Sequence, residues 1–147
     1  MKKDEPHLDG DEIKANVKKK MEKYENRSFL ENVAMYLGVA QILELGMKNL
    51  LVRKYDYKFD DLEKFTLGRT KFELEKCGLR GDYLELLESV VDMRNYIAHE
   101  MLANDALVQS ITGKSLTKEQ RILWKAIYEL EQAVFLYDWC EKHDAWD

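Results

Sequence analysis

Between Ser28 and Leu51 the chain sets apolar residues on nearly every side of a helix: Phe29, Leu30, Val33, Tyr36, Leu37, Ala40, Leu43, Leu45, Met47, Leu50 and Leu51. A helix with so wide an apolar surface must be packed from several directions, so the stretch predicts a central helix around which the rest of the chain is arranged. Ser28 and Glu31 mark its start, because a Ser-x-x-Glu pattern lets hydroxyl and carboxylate each satisfy a free backbone N–H. Gly38 and Gly46 lower its helix propensity but permit a close crossing by another helix. Pro6 is the one proline in 147 residues, and charged residues make up 35% against 46% hydrophobic, a balance that favours long helices over a turn-rich sheet. The expected fold is all-α: an antiparallel bundle of four to five helices, forming a single domain over residues 11–147. Residues 1–10, with Pro6, His7 and Gly10 and no apolar periodicity, read as a flexible lead-in.

The flanking helices follow from the same pattern. A first, mostly polar helix over Asp11–Asn26 carries the narrow stripe Ile13, Val17, Met21 and Tyr24 and belongs on the bundle surface, with Lys18, Lys19 and Lys20 divided among its sides. After a break near Tyr57, a third helix is expected over Thr66–Cys77, with Gly68 allowing close packing. Gly78 reads as a stop and Gly81-Asp82 as a restart, with Asp82 the cap of a fourth helix. Residues 104–114 read as a loop, and Thr117 with Gln120 as a second capping box opening a last helix over Lys118–His143.

Composition excludes several functional classes. Cys77 and Cys140 are far apart and join no recognisable ligand quartet, so neither a disulfide scaffold nor a structural zinc site is expected, and a cytoplasmic location fits best. Cys140 and His143 have metal-compatible spacing but lack further ligands, so no metal and no cofactor are expected. The N-terminus lacks the apolar core of a signal peptide, and no apolar run reaches membrane-spanning length, so no membrane association is expected. A net charge of −5 argues against a general nucleic-acid coat while leaving room for a local basic pocket.

Against this background Ser89–Glu100, SVVDMRNYIAHE, stands out, because Arg94, Asn95 and His99 interrupt an otherwise ordinary amphipathic helix. An apolar face gains nothing from these residues, whereas phosphate chemistry uses a fork-shaped cation and a group that titrates near neutrality. On an α-helix His99 would lie about 7.5 Å above Arg94 and roughly 140° round from it, so the two flank a common edge rather than stack. A two-fold axis beside that edge would bring two copies of each together, which makes a homodimer part of the expectation. Arginine would hold a phosphate, histidine would move a proton, and Asn95 would orient the imidazole or a ribose hydroxyl. Tyr96, inside the motif, could stack a base or pack on a partner helix.

RNYIAH in an all-α domain of this size resembles the signature of the HEPN superfamily, an arginine followed four to six residues later by a histidine, commonly with a polar residue directly after the arginine. FTLGRTKFELEKCGL, followed by the motif helix, also resembles a layout in bacterial members, extending the likeness over roughly 65–102. The resemblance implies a dimeric helical bundle acting as a metal-independent endoribonuclease in a toxin–antitoxin or defence setting, with an antitoxin protein as a further partner. Arg94 and His99 would be catalytic and Asn95 supportive, with the RNA 2′-hydroxyl as nucleophile. The alternative it carries is a non-catalytic nucleotide-binding or protein-interaction module. One departure is Met101, which stands where some toxin members have a tyrosine modified by a partner nucleotidyltransferase.

Overall fold

The computed structural model describes residues 8–113 and 115–147. The first seven positions of the expected lead-in, with Pro6 and His7, lie outside the described residues. Helix α1 (Gly10–Met21) opens one residue earlier than its polar start suggested, because Asp9 caps it by accepting the Asp11 N–H at 2.7 Å. A 3₁₀ turn over Glu22–Tyr24 ends the stripe expected on this helix, burying Val17, Met21 and Tyr24. Helix α2 (Phe29–Tyr55) has both halves of the Ser28–Glu31 capping box and ends at Asp56 in the left-handed conformation, at the expected break. A one-turn helix, α3 (Phe59–Leu62), precedes α4 (Leu67–Lys76), which Thr66 caps through the Arg69 N–H.

The structure corrects three local assignments. Asp82 is not the cap of α5 (Gly81–Tyr96); Arg80 holds that position, and Asp82 sits in the first turn, where it takes the Arg80 guanidinium at 2.7 Å and the Tyr83 N–H at 2.8 Å. The expected loop over 104–114 is helical as far as Thr112: α5 continues into a π-helical segment, Ile97–Ala106, and then into α6 (Leu107–Thr112). No helix-breaking residue occurs in this stretch before Gly113, which takes φ +68°. Thr117 opens α7 (Thr117–His143) as its first helical residue, behind a buried Leu116 at the cap position, and its hydroxyl lies 3.0 Å from that of Ser115.

All regular structure among the described residues is helical, forming an all-α bundle. Helix α7 shares the central position with α2, packing on α1, α2 and α5 and burying Leu123, Ala126, Ile127, Leu130, Ala133 and Cys140. Helix α5 runs antiparallel to α4, with Lys71 facing Glu88 and Gly68 facing Val91, and antiparallel to α7, with Ser89 facing Glu129 and Arg80 facing Cys140. Helices α2 and α7 run in the same direction, since Gly46 meets Tyr137 and Arg53 meets Glu141. Of the two glycines in α2, only Gly46 serves a close crossing: a Cβ there would lie 3.3 Å from the Tyr137 ring, whereas one at Gly38 would meet nothing. Helix α2 is not covered on every side, because Leu30, Ile42 and Leu45 are exposed.

Two polar arrangements lock the bundle. Glu131 of α7, fully buried, accepts from the Tyr24 hydroxyl at 2.7 Å and from Lys23 Nζ at 2.6 Å, tying the end of α1 to the core. Beyond α7 the chain turns back so that Trp146 lies buried against the Tyr83 and Tyr137 rings, its indole donating to Glu141 and its carbonyl accepting from the Arg80 N–H.

Candidate functional site

The RNYIAH motif lies where α5 changes into the π-helical segment, and that change affects its geometry. Bonding from i to i+5 underwinds the backbone relative to an α-helix, and π segments are frequent at functional sites. Residues five apart are therefore turned toward a common face, and Arg94 and His99 are five apart with the transition at Ile97 between them. The divergence expected on an ideal α-helix is reduced accordingly. Ile97 and Met101 anchor the segment, both fully buried, leaving the intervening His99 exposed. Burial of Met101 also makes this position part of the core rather than a surface available for modification.

Arg94 is half-buried, and Asn95, Tyr96 and His99 are exposed. The structure joins two of the four side chains: Arg94 Nη1 donates to Asn95 Oδ1 at 3.4 Å. It joins neither to His99, and the expected role of Asn95 in orienting the imidazole has no hydrogen bond behind it. Among the described residues Arg94 has no ion-pair partner. The nearby acids that could have neutralised it are otherwise placed, since Glu88 faces Lys71 and Asp92 points to solvent. His99 makes no hydrogen bond or ion pair with a described residue, and Glu100 is engaged by Asn104 at 3.3 Å.

The inner neighbours of Arg94 were not foreseen from the sequence. Tyr36 of α2 is buried with its hydroxyl unpartnered, within electrostatic reach of both Glu129 and Arg94. Burial raises the Tyr36 phenol far above its ordinary range, the Glu129 carboxylate adds to the effect and the Arg94 guanidinium opposes it, so Tyr36 stays protonated. Glu129 is held by the Ser89 hydroxyl at 2.8 Å. Tyr36 and Glu129 thus share the electrostatic neighbourhood of Arg94, while the guanidinium itself has no ion-pair partner among the described residues and keeps donors for an anion. Only the three-dimensional pairing of α2, α5 and α7 brings Tyr36, Ser89 and Glu129 together.

Cys140 is buried in the core, its thiol raised by burial, and among the described residues no three side chains are grouped to hold a metal. Among the described residues no helix is long and apolar enough to cross a membrane. Comparisons with family models, with characterised proteins and with solved structures found no match to this chain.

Proposed function

We propose that the protein is a metal-independent endoribonuclease of the HEPN type that acts as a homodimer, with Arg94 and His99 as its catalytic pair. The observation that carries this reading is the uncommitted state of both side chains on one helix edge. Arg94 has no counter-ion and His99 no partner among the described residues, so both side chains are available to a ligand rather than committed to holding the fold. In this reading Arg94 binds the scissile phosphate through paired donors and stabilises the charge that develops on it. His99 moves the proton between the 2′-hydroxyl and the departing 5′-oxygen. The 2′-oxygen attacks phosphorus, the bond to the 5′-oxygen breaks, and the products are a 2′,3′-cyclic phosphate and a 5′-hydroxyl. Asn95 holds Arg94 in place, and the exposed Tyr96 ring is available to stack a base.

A dimer with its two-fold beside this edge is supported by the apolar surface continuing along the same helix. Leu107, Val108 and Ile111 of α6 are exposed, Ile111 by 83%. A patch of this kind next to a polar site suits an interface between copies. A setting beside an antitoxin protein follows from the resemblance alone.

The test is RNA cleavage by the purified protein in the presence of a chelator. Cleavage is expected to persist, to leave 2′,3′-cyclic phosphate ends and to fail on RNA with a 2′-deoxy group at the cut. His99→Ala should abolish it without changing the helical circular-dichroism signal. If the parent cuts no RNA, or if His99→Ala cuts as well as the parent, the non-catalytic interaction module takes the place of this reading.

A further inference from the structure

A second feature at the same end of the bundle explains how an acidic chain could hold RNA. A cleft of about 1050 Å³ opens between the turn joining α1 to α2 and the first half of α7. On its α7 wall Arg121, Trp124 and Lys125 stand three and four residues apart and so share one helix face. Trp124 is 42% exposed, and among the described residues neither Arg121 nor Lys125 enters an ion pair. Across the cleft stand Arg27, already paired with Glu31, and Asn32, whose amide oxygen is buried without a partner. Two carboxylates, Glu25 and Glu129, also line the cleft, and Ser89 of the motif helix holds Glu129.

The antiparallel register that sets Ser89 against Glu129 and Arg80 against Cys140 brings Arg94 to the level of Trp124 and Lys125 along the bundle. Cleft and motif therefore lie at the same end of the bundle.

We infer that the cleft binds a segment of single-stranded RNA, with Trp124 stacked on a base and Arg121 and Lys125 on the flanking phosphates. The inference rests on the ribonuclease reading for its ligand and adds to it the place where the strand is held away from the cut. An exposed indole between two unpaired cations suits a polymer that alternates π-faces with negative charges. The chain has no general basic surface, so phosphate affinity must come from a local group of this kind.

The experiment measures anisotropy of a fluorescein-labelled single-stranded RNA of roughly a dozen nucleotides, using His99→Ala protein so that the RNA stays intact. Trp124→Ala in that background should weaken binding roughly 5- to 150-fold, the range of one lost base–aromatic stack. Combined Arg121→Ala and Lys125→Ala should lower the slope of log affinity against log salt by about 1.4, two contacts at about 0.7 each for single strands. All three side chains are exposed, so circular dichroism should be unchanged. If the parent cleaves RNA but both variants bind it with unchanged affinity and salt slope, the cleft assignment is wrong and the ribonuclease reading stands. If binding responds as expected while the parent never cleaves, the cleft stands and the ribonuclease reading fails. Absence of any RNA binding overturns the cleft.

Discussion

Replacing Arg94 by alanine separates a catalytic arginine from a structural one, because the two roles differ in the ratio of lost stability to lost activity. In the folded protein Arg94 makes one hydrogen bond, to Asn95 at the long distance of 3.4 Å, and has no ion-pair partner among the described residues. Such a bond, with some packing of the side-chain stem, contributes about 1 kcal/mol at most. For a chain near this length that corresponds to a fall in Tm of about 4 °C or less. An arginine compensating a buried carboxylate would instead cost about 3–5 kcal/mol on removal, or roughly 6–20 °C. Loss of a donor to the transition state lowers kcat by about 10²- to 10³-fold. Arg94→Ala should therefore melt within a few degrees of the parent while cleaving RNA at least a hundredfold more slowly. Arg94→Lys should fall between, keeping the charge but losing the fork. Scanning calorimetry and single-turnover cleavage on the same preparations give both numbers. A fall in Tm above about 10 °C with activity tracking the folded fraction would refute the reasoning, as would cleavage close to the parental rate.

Other expectations follow from the packing and the charges. Trp146→Ala removes an indole buried against Tyr83 and Tyr137 and should cost about 3–5 kcal/mol in a urea melt; a loss below about 1 kcal/mol would mean that the returning C-terminal segment is not part of the cooperative core. Stability should decline in acid. Asp82 is lowered chiefly by the Arg80 guanidinium, and at Glu141 the upward push of burial is outweighed by hydrogen bonds from Arg53 and the Trp146 indole. A carboxylate with a depressed folded-state pKa stabilises above its unfolded value and loses that contribution as pH falls through the folded one. Urea midpoints should therefore drop below about pH 4.5, and Glu141→Gln should flatten part of that drop; an unchanged profile would contradict the assignment. Ile111→Glu, at the most exposed apolar position of α6, should shift sedimentation from dimer to monomer and reduce RNA cleavage, with a parent that is already monomeric at tens of micromolar refuting the dimer.

Much of the bundle was legible because its signals are redundant. The stripe Val17–Met21–Tyr24 and the apolar series of α2 and α7 each repeat one instruction over several turns, so no single residue decides the outcome. Capping was less legible where one residue did decide. Thr117 and Gln120 match a capping box in sequence, yet buried Leu116 takes the cap position, and the apolar contact outweighs a hydroxyl bond that water can supply equally well. The helical run through 107–112 was hidden because Asn104 and Asp105 are turn residues by local preference, whereas the chain continues from the buried Ile97 and Met101 through the π-helical segment into α6.

The candidate site divides along the same line. Arg94, Asn95 and His99 could be found in the sequence because their chemistry is out of place on an amphipathic helix. Their relative azimuth could not, because it depends on the π-helical underwinding that begins at Ile97, and a periodicity argument assumes α geometry throughout. Trp124 was missed for a related reason. In a helix whose core side already holds Ile122, Leu123, Ala126 and Ile127, an additional aromatic reads as one more packing residue until the fold shows it uncovered beside two unpaired cations. A residue type that suits both core and ligand carries little functional information by itself, whereas an arginine and a histidine five residues apart stand out in a sequence even though the structure leaves His99 exposed. The motif could therefore be proposed from the sequence, and the cleft only from the fold, which sets Trp124 beside Arg121 and Lys125 on one exposed helix face.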